Sequence, residues 1–205
     1  MNTDRMIAEQ IESRGVRNKR VLDAMRRVDR ALFVPSNLVN EAYSDNALPI
    51  GRQQTISQPY IVALMTDLLD PQPGDRVLEI GCGTGYQTAI LAGLAREVWS
   101  MDIIPELCES ARERLGDLSY TNIHVLHGDG YLGLPSEAPF DKIMITAAPP
   151  VMPESLCQQL VADGRMILPV GVFDQDLIVI DMTGPGRWTQ RKSIPVRFVP
   201  MVHHG

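Results

Sequence analysis

The stretch Arg76-Val77-Leu78-Glu79-Ile80-Gly81-Cys82-Gly83-Thr84-Gly85-Tyr86 constrains this chain more than any other, because an apolar run breaks into three glycines at alternate positions and then resumes as a helical pattern. It reads as strand, tight loop, helix. Glycine lets a backbone turn sharply and leaves no Cβ between loop and ligand, while the first N–H groups of the following helix point outward, so the stretch predicts a ligand cradle. An ordinary strand-to-helix turn also favours glycine, and only the rest of the chain separates the two.

Downstream of Pro71-Gln72-Pro73-Gly74, apolar runs at 77–80, 98–101, 123–126, 143–146 and 166–170 alternate with helical patterns. Strands that recur with helices between them form a parallel sheet. The helical stretches carry Ala89, Ile90 and Leu94; then, from Pro105, Leu107, Cys108, Ala111 and Leu115; then, from Pro153, Leu156, Cys157, Leu160 and Val161. Residues 177–182, the turn Thr183-Gly184-Pro185-Gly186 and residues 192–202 leave no room for a helix and predict an antiparallel closing pair. Upstream, one helix spans 3–14 and stops at Gly15, and a second keeps its period from Val21 to Leu32 until Val34-Pro35. Residues 37–57 have no clear periodicity, and a loop that long inside a compact domain is usually functional. A further helix begins near Ser57-Gln58-Pro59.

The expected fold class is therefore α/β: a Rossmann-like, doubly wound, mostly parallel sheet with antiparallel closing strands and an N-terminal helical cap. A chain of 205 residues that is 44% hydrophobic fits one domain, with 1–70 as cap and substrate loop and 71–205 as the cofactor-binding core. A net charge of −6 with no lysine- or arginine-rich run argues against nucleic acid as a partner. Cys82, Cys108 and Cys157 are an odd number without CxxC spacing, which suggests buried thiols, and His124, His127, His203 and His204 show no metal spacing. The opening residues do not resemble a secretory signal and no apolar run reaches membrane-spanning length, so a cytoplasmic protein with no membrane partner is expected.

In an open parallel sheet, ligands bind outside the carboxyl ends of the strands. The unusual residues of this chain gather there: Gly81-Cys82-Gly83-Thr84-Gly85, Asp102, His127-Gly128-Asp129-Gly130 and Thr146-Ala147-Ala148-Pro149-Pro150. Asp102 suits a ribose hydroxyl pair, or else a helix cap before Pro105. Asp129 can accept from an adenine amino group while the neighbouring backbone N–H meets a ring nitrogen, or the Gly-Asp-Gly is a plain turn. Tyr86 occupies the position where a dinucleotide fingerprint needs a glycine or other small residue, and no lysine stands ready for a triphosphate. With Glu79 two residues ahead of the first glycine, S-adenosylmethionine fits best.

Ala148-Pro149-Pro150-Val151 lacks the polar acceptor and the stacking aromatic that methylation of planar nitrogens employs, and no general base stands nearby. A carboxylate needs none, since its reference pKa near ~4 leaves it ionised at neutral pH. Alignment of nucleophile, methyl and sulfur then carries the reaction.

Asn46-Ala47-Leu48-Pro49-Ile50-Gly51, Gln54-Thr55-Ile56-Ser57-Gln58-Pro59, Val77 to Ala89, His127-Gly128-Asp129-Gly130, Pro139-Phe140-Asp141, Leu168-Pro169-Val170-Gly171 and Val196-Arg197-Phe198-Val199-Pro200 together resemble the protein-L-isoaspartate O-methyltransferase family over nearly the whole chain. The resemblance implies methyl transfer from S-adenosylmethionine, leaving S-adenosylhomocysteine, to the free α-carboxylate of L-isoaspartyl residues in damaged proteins and peptides, with repair through a succinimide and no metal. It implies an active-site position for Ser57 and substrate contacts for Thr55, Ile56 and Val199, beside the cofactor contacts expected from the residues themselves at Glu79, Gly81, Gly83, Gly85, Asp102, Asp129 and Gly130. Read from its own chemistry, Ser57 is a hydrogen-bond donor to the acceptor carboxylate, a cap for the helix at Gln58-Pro59, or both. Two positions depart from the family pattern: Arg52-Gln53 replaces a smaller, glycine-containing turn, and Ile103 follows Asp102 where a polar residue is usual.

Overall fold

The computed structural model describes residues 2–203, so His204 lies outside the described residues. The chain opens with α1 (Thr3–Met6), which runs through a π turn and a 3-10 turn to Gly15, whose φ of 97° ends it as expected. The second expected helix divides in two. Helix α2 (Lys19–Arg27) stops because Val28 is extended, and Asp29 then accepts from Ala31 N–H (3.0 Å) to start a separate 3-10 turn, Arg30–Phe33. Both pieces bury the same face, so the apolar period runs unbroken through a real break.

Residues 37–57 are also more ordered than their composition suggests. They contain a 3-10 turn, Ser36–Glu41, and a hairpin of β1 (Leu48–Gly51) and β2 (Gln54–Ile56). The hairpin turns through Arg52 and Gln53, both left-handed at φ 52° and 58°. Asn-Gly or Asp-Gly usually announces such a two-residue turn, and neither is present. Helix α3 (Pro59–Leu69) follows with proline in its first turn, where the missing N–H costs nothing.

The core alternates as expected: β3 (Arg76–Ile80), α4 (Tyr86–Ala92), β4 (Glu97–Asp102), α5 (Pro105–Asp117), β5 (Ile123–His127), β6 (Phe140–Ile145), α6 (Glu154–Cys157), β7 (Leu160–Val170), β8 (Gln175–Gly184) and β9 (Arg187–Val196). They form a seven-stranded sheet in the order β5-β4-β3-β6-β7-β8-β9, parallel up to β7 and antiparallel beyond it. Side chains alternate across it with the strand period of two. Leu78, Ile80, Ile143, Ile145, Met166 and Leu168 face Leu156 and Cys157 on one side; Val77, Met144 and Ile167 face Met65, Leu69 and Leu91 on the other. Both faces are covered, which is why the strands read as continuous apolar runs.

Two boundaries differ from expectation. Strand β7 begins at Leu160, so Leu160 and Val161 leave the short helix α6; Asp163, at φ 65°, breaks the apolar pattern and the β6–β7 register shifts there. Strand β9 begins at Arg187 and ends at Val196, because its first half is exposed and polar and carries no apolar signal. Past it the chain makes one parallel bridge, Ala148 to Pro200, which brings Val199 back to the end of β6.

Strand β3 lies between β4 and β6, so successive connections leave it in opposite directions. The crevice at that reversal is where an open sheet binds its ligand. Among the described residues no helix is long and apolar enough to cross a membrane, and no cluster of three or more histidine, cysteine or carboxylate side chains could hold a metal.

Candidate active site

The glycine loop after β3 takes positive φ at all three glycines: 99° at Gly81, 52° at Gly83 and 88° at Gly85. Its amides are largely used in shaping it. Gly81 and Cys82 N–H donate to Met101 O (2.7 and 3.1 Å), Gly83 N–H to Asp102 Oδ2 (3.0 Å) and Gly85 N–H to Cys82 O (2.8 Å). The cradle therefore offers a ligand its shape more than a row of open donors. A Cβ on Gly81 would collide with Thr146 Oγ1, whose hydroxyl donates to Gly81 O (2.7 Å). A Cβ on Gly130 would meet Ile80 Cγ2 and Met201 Cε.

A cavity opens over this loop, walled by Gly81 to Thr84, Asp102, Ile103, Ile104, Leu107, Gly130, Thr146 and, from the hairpin, Gln54 to Ser57. Asp102 accepts from Gly83 N–H through Oδ2 and from Ile104 N–H (3.0 Å) through Oδ1. An ionised carboxylate has about four acceptor directions, so two remain for a vicinal diol. The cap alternative for Asp102 is not realised, since the N-cap of α5 is Ile104 and no side chain caps the helix; Asp102 closes a turn ahead of it instead. Ile103, the departure from a polar residue, joins Ile104 and Leu107 as an apolar wall suited to a purine face. Asp129 stands just behind this wall while Gly130 is part of it. Its Oδ1 accepts from Tyr131 N–H (2.9 Å), its Oδ2 lies 3.2 Å from His203 Nδ1, and the His203 ring stacks on Tyr131 at 3.7 Å.

Glu79 is not in the wall at all. It is fully buried beneath the loop, where Thr88 and Ser100 hydroxyls donate to Oε2 (2.5 and 2.6 Å), and Oε1 has no hydrogen-bond partner among the described residues. Burial pushes its carboxyl up to about 7 against the pull of the two hydroxyls, and nearby Asp102 adds to the rise. Glu79 thereby ties β3, α4 and β4 together under the cradle. Cys82 does line the cavity, and its hydrogen bond with Cys108, followed by burial, holds its thiol well above the ordinary value. It stays protonated, and a thiol is a far poorer nucleophile than a thiolate.

Tyr86 borders the cavity but is itself almost fully buried. Its buried ring packs 5.5 Å from Phe33 and 5.0 Å from the guanidinium of Arg30, which is itself buried and donates through Nε to Ala42 O (2.8 Å). The residue that breaks the dinucleotide fingerprint is the one that docks the N-terminal cap onto the glycine loop.

A second groove adjoins the cavity, lined by Arg14, Ala47, Gln58, Ile61 and residues 194–198, and it shares Thr55, Ser57, Thr146 and Val199 with the cavity. Ile56 belongs to the cavity wall alone. Helix α3 has no cap from Ser57. Asp45 supplies it instead: Oδ1 accepts from Tyr60 N–H (3.1 Å), while Oδ2 accepts from Gln58 Nε2 (3.0 Å) and Arg14 Nη1 (2.7 Å). Arg14 in turn lies 3.4 Å over the Tyr60 ring. Sequence reasoning placed Thr146 at the carboxyl edge of the sheet but missed Asp45 and Arg14, and the only signal for Asp45 was its place in the long segment 37–57.

A donor cavity at the switch point, with a diol-ready carboxylate and an acceptor groove opening into it, defines an enzyme that moves a group from a nucleoside-bearing donor to a second substrate. The protein-L-isoaspartate(D-aspartate) O-methyltransferase family model matches residues 1–205, and the chain belongs to that family. It is 51% identical over 202 residues to the protein-L-isoaspartate O-methyltransferase of Anaeromyxobacter dehalogenans (strain 2CP-C), covering 97% of each chain. Against the Myxococcus xanthus (strain DK1622) enzyme of the same name it is 52% identical over 198 residues, covering 95% of this chain and 93% of that one. A solved protein-L-isoaspartate O-methyltransferase superposes with a TM-score of 0.87 at 27% identity, covering 97% of this chain and 65% of the other. A putative Plasmodium falciparum relative, crystallised with S-adenosyl-L-homocysteine, gives 0.86 at 24% identity over 98% and 99%, a likeness of fold.

Proposed function

We propose that this enzyme transfers the methyl group of S-adenosylmethionine to the free α-carboxylate of L-isoaspartyl residues in proteins and peptides. The observation that carries the reading is the junction at which cavity and groove share Thr55, Ser57, Thr146 and Val199. When bound, S-adenosylmethionine supplies an electrophilic methyl on a sulfonium and is left as S-adenosylhomocysteine. The residues present fit it: a Cβ-free loop, Asp102 for the ribose hydroxyls, apolar Ile103, Ile104 and Leu107 for the base, and Gly130, with Asp129 behind it, at the far end of the ring.

The acceptor side suits an anion. The groove wall contains Arg197 and, already paired with Asp45 at 2.7 Å, Arg14, and neither aspartate nor glutamate, in a chain whose net charge is −6. Ser57 donates a hydrogen bond that holds one carboxylate oxygen at the junction, while Thr55, Ile56 and Val199 fix the peptide around it. No base is needed, since the acceptor is already ionised, and the contribution of these groups is orientation. The resulting ester closes to a succinimide without the enzyme. Partners are isoaspartyl-bearing proteins and peptides rather than nucleic acid. The setting we propose is the cytoplasm, where three buried, unpaired thiols remain reduced.

Labelled S-adenosylmethionine offered with matched isoaspartyl and aspartyl peptides tests the reading. A base-labile methyl ester on the isoaspartyl peptide alone is expected. Equal labelling of both peptides, or of neither, overturns it.

A further inference from the structure

Three large apolar side chains stand exposed at the catalytic edge of the sheet, outside both cavity and groove. Phe173 is 93% exposed, Val151 73% and Val172 62%. Single exposed apolar residues are ordinary surface, whereas a group of them at one edge marks a contact site. They come from two turns tied together. Gly171 N–H donates to Pro149 O (3.0 Å), which sets the β7–β8 turn, bearing Val172 and Phe173, beside the turn after β6, bearing Val151. Pro150 and Pro200 are exposed next to them, and the Pro200 bridge to Ala148 joins the carboxy-terminal segment to the same two turns.

This edge is continuous with the acceptor groove. Gln175, two residues past Phe173, accepts from Phe198 N–H (2.6 Å) and donates to Phe198 O (3.1 Å), and Phe198 and Val199 form part of the groove wall. Ala148 N–H donates to Val199 O (2.8 Å). These bonds tie the turns that bear Val151, Val172 and Phe173 to the Phe198–Val199 wall of the groove.

We propose that these three side chains form an apolar shelf that receives apolar residues flanking the isoaspartate on the same polypeptide. The inference rests on the isoaspartyl reading of the groove and adds a preference to it. Apolar flanks are buried in folded proteins and exposed by unfolding, so the shelf directs the enzyme to segments that have lost their native packing.

Steady-state kinetics with two isoaspartyl peptides, one flanked by leucine and phenylalanine and one by serine and asparagine, test it in the wild type and in Phe173→Ser and Val172→Ser/Phe173→Ser variants. The wild type should favour the apolar-flanked peptide by about tenfold in kcat/KM, through KM, as for a single aromatic contact residue. Each variant should lose most of that preference, with the polar-flanked peptide changed by less than about twofold. Equal kcat/KM for both peptides in the wild type, or a preference untouched by the substitutions, overturns the shelf. A wild-type dimer that Phe173→Ser dissociates, without any flank preference, assigns the patch to a second copy and also overturns it. Methylation of neither peptide removes the isoaspartyl reading itself, and the shelf with it. The substitutions lie in a solvent-exposed turn, so thermal unfolding should match the wild type.

Discussion

In the donor cradle, the amides of Gly81, Cys82, Gly83 and Gly85 are bonded to the end of β4 or within the loop itself, Thr146 braces Gly81, and Glu79 sits sealed beneath. The acceptor hairpin, 48–56, is a separate two-stranded ribbon that enters the core through Leu48 and Ile56, with its tip held by one exposed ion pair, Arg52 to Glu106. An isolated two-stranded hairpin is marginal by itself. The donor site is thus preformed, whereas the acceptor side is a thin element held in place by its contacts, and the two should respond differently to perturbation.

The largest effect is expected at the cradle. In Gly81→Val, a side chain is forced onto Thr146 Oγ1 at a φ of 99° that L residues rarely adopt. Overpacking plus backbone strain costs about 3 kcal/mol or more, so S-adenosylmethionine binding by calorimetry should become undetectable and thermal unfolding should fall sharply. Binding within a few-fold of wild type would show that the cradle yields as the hairpin does.

Glu79 sharpens the contrast through pH. Its carboxyl stands at about 7 in the fold against an ordinary 4.5, so between those values the folded state binds more protons than the unfolded one. Stability from this group is therefore greatest below pH 4.5 and is lost as pH rises to about 7, by about 3 kcal/mol in all. Glu79→Gln cannot titrate. Denaturant unfolding from pH 4.5 to 8 should show the variant gaining on the wild type as pH rises, then running parallel above 7; parallel curves throughout would mean that Glu79 is solvated.

At the acceptor side, Asp45→Ala removes the cap of α3 and the anchor of Arg14 and Gln58. A lost cap costs about 1 kcal/mol, and a misplaced Ser57 should lower kcat for peptide by about tenfold with the affinity for S-adenosylmethionine unchanged. Ser57→Ala should lower turnover in the same way without the loss of stability. In the double variant, the kcat losses should be less than multiplicative, since Asp45 acts through Ser57. Full additivity would separate them.

The same contrast explains what could be read before folding. The cradle was legible because its cause is local: three glycines, a strand before and a helix after. Asp102 was legible because the end of the next strand is fixed by sheet topology. Asp45 was not, since it reaches fifteen residues on to Tyr60 and thirty-one residues back to Arg14, partners that only tertiary folding selects. Tyr86 departs from a ligand motif in sequence because its ring serves packing, against Arg30 and Phe33. The hairpin stayed hidden because Arg52 and Gln53 adopt left-handed backbone without the residues that favour it. Glu79, which spacing sets beside the glycine loop, lies buried under it with its carboxylate on Thr88 and Ser100, partners that only the packing of α4 and β4 against β3 supplies.

The smallest effect is expected at the hairpin tip. Arg52 and Glu106 are 2.8 Å apart with side chains 60% and 53% exposed, and such a pair contributes about 0–1 kcal/mol. Glu106→Gln removes only that attraction, so release of S-adenosylhomocysteine, measured by stopped flow, should quicken by no more than about fivefold. Salt screens exposed pairs, so the wild type at about 0.5 M salt should approach the variant, and the variant itself should be nearly insensitive. Arg52→Gly removes the same pair while relieving a left-handed residue, a gain at least equal to the stability the exposed pair supplied. If the hairpin is the loosely held wall, both variants should release product faster while Arg52→Gly unfolds at an equal or higher temperature; release unchanged in both would mean that Leu48 and Ile56 alone hold the hairpin over the cavity.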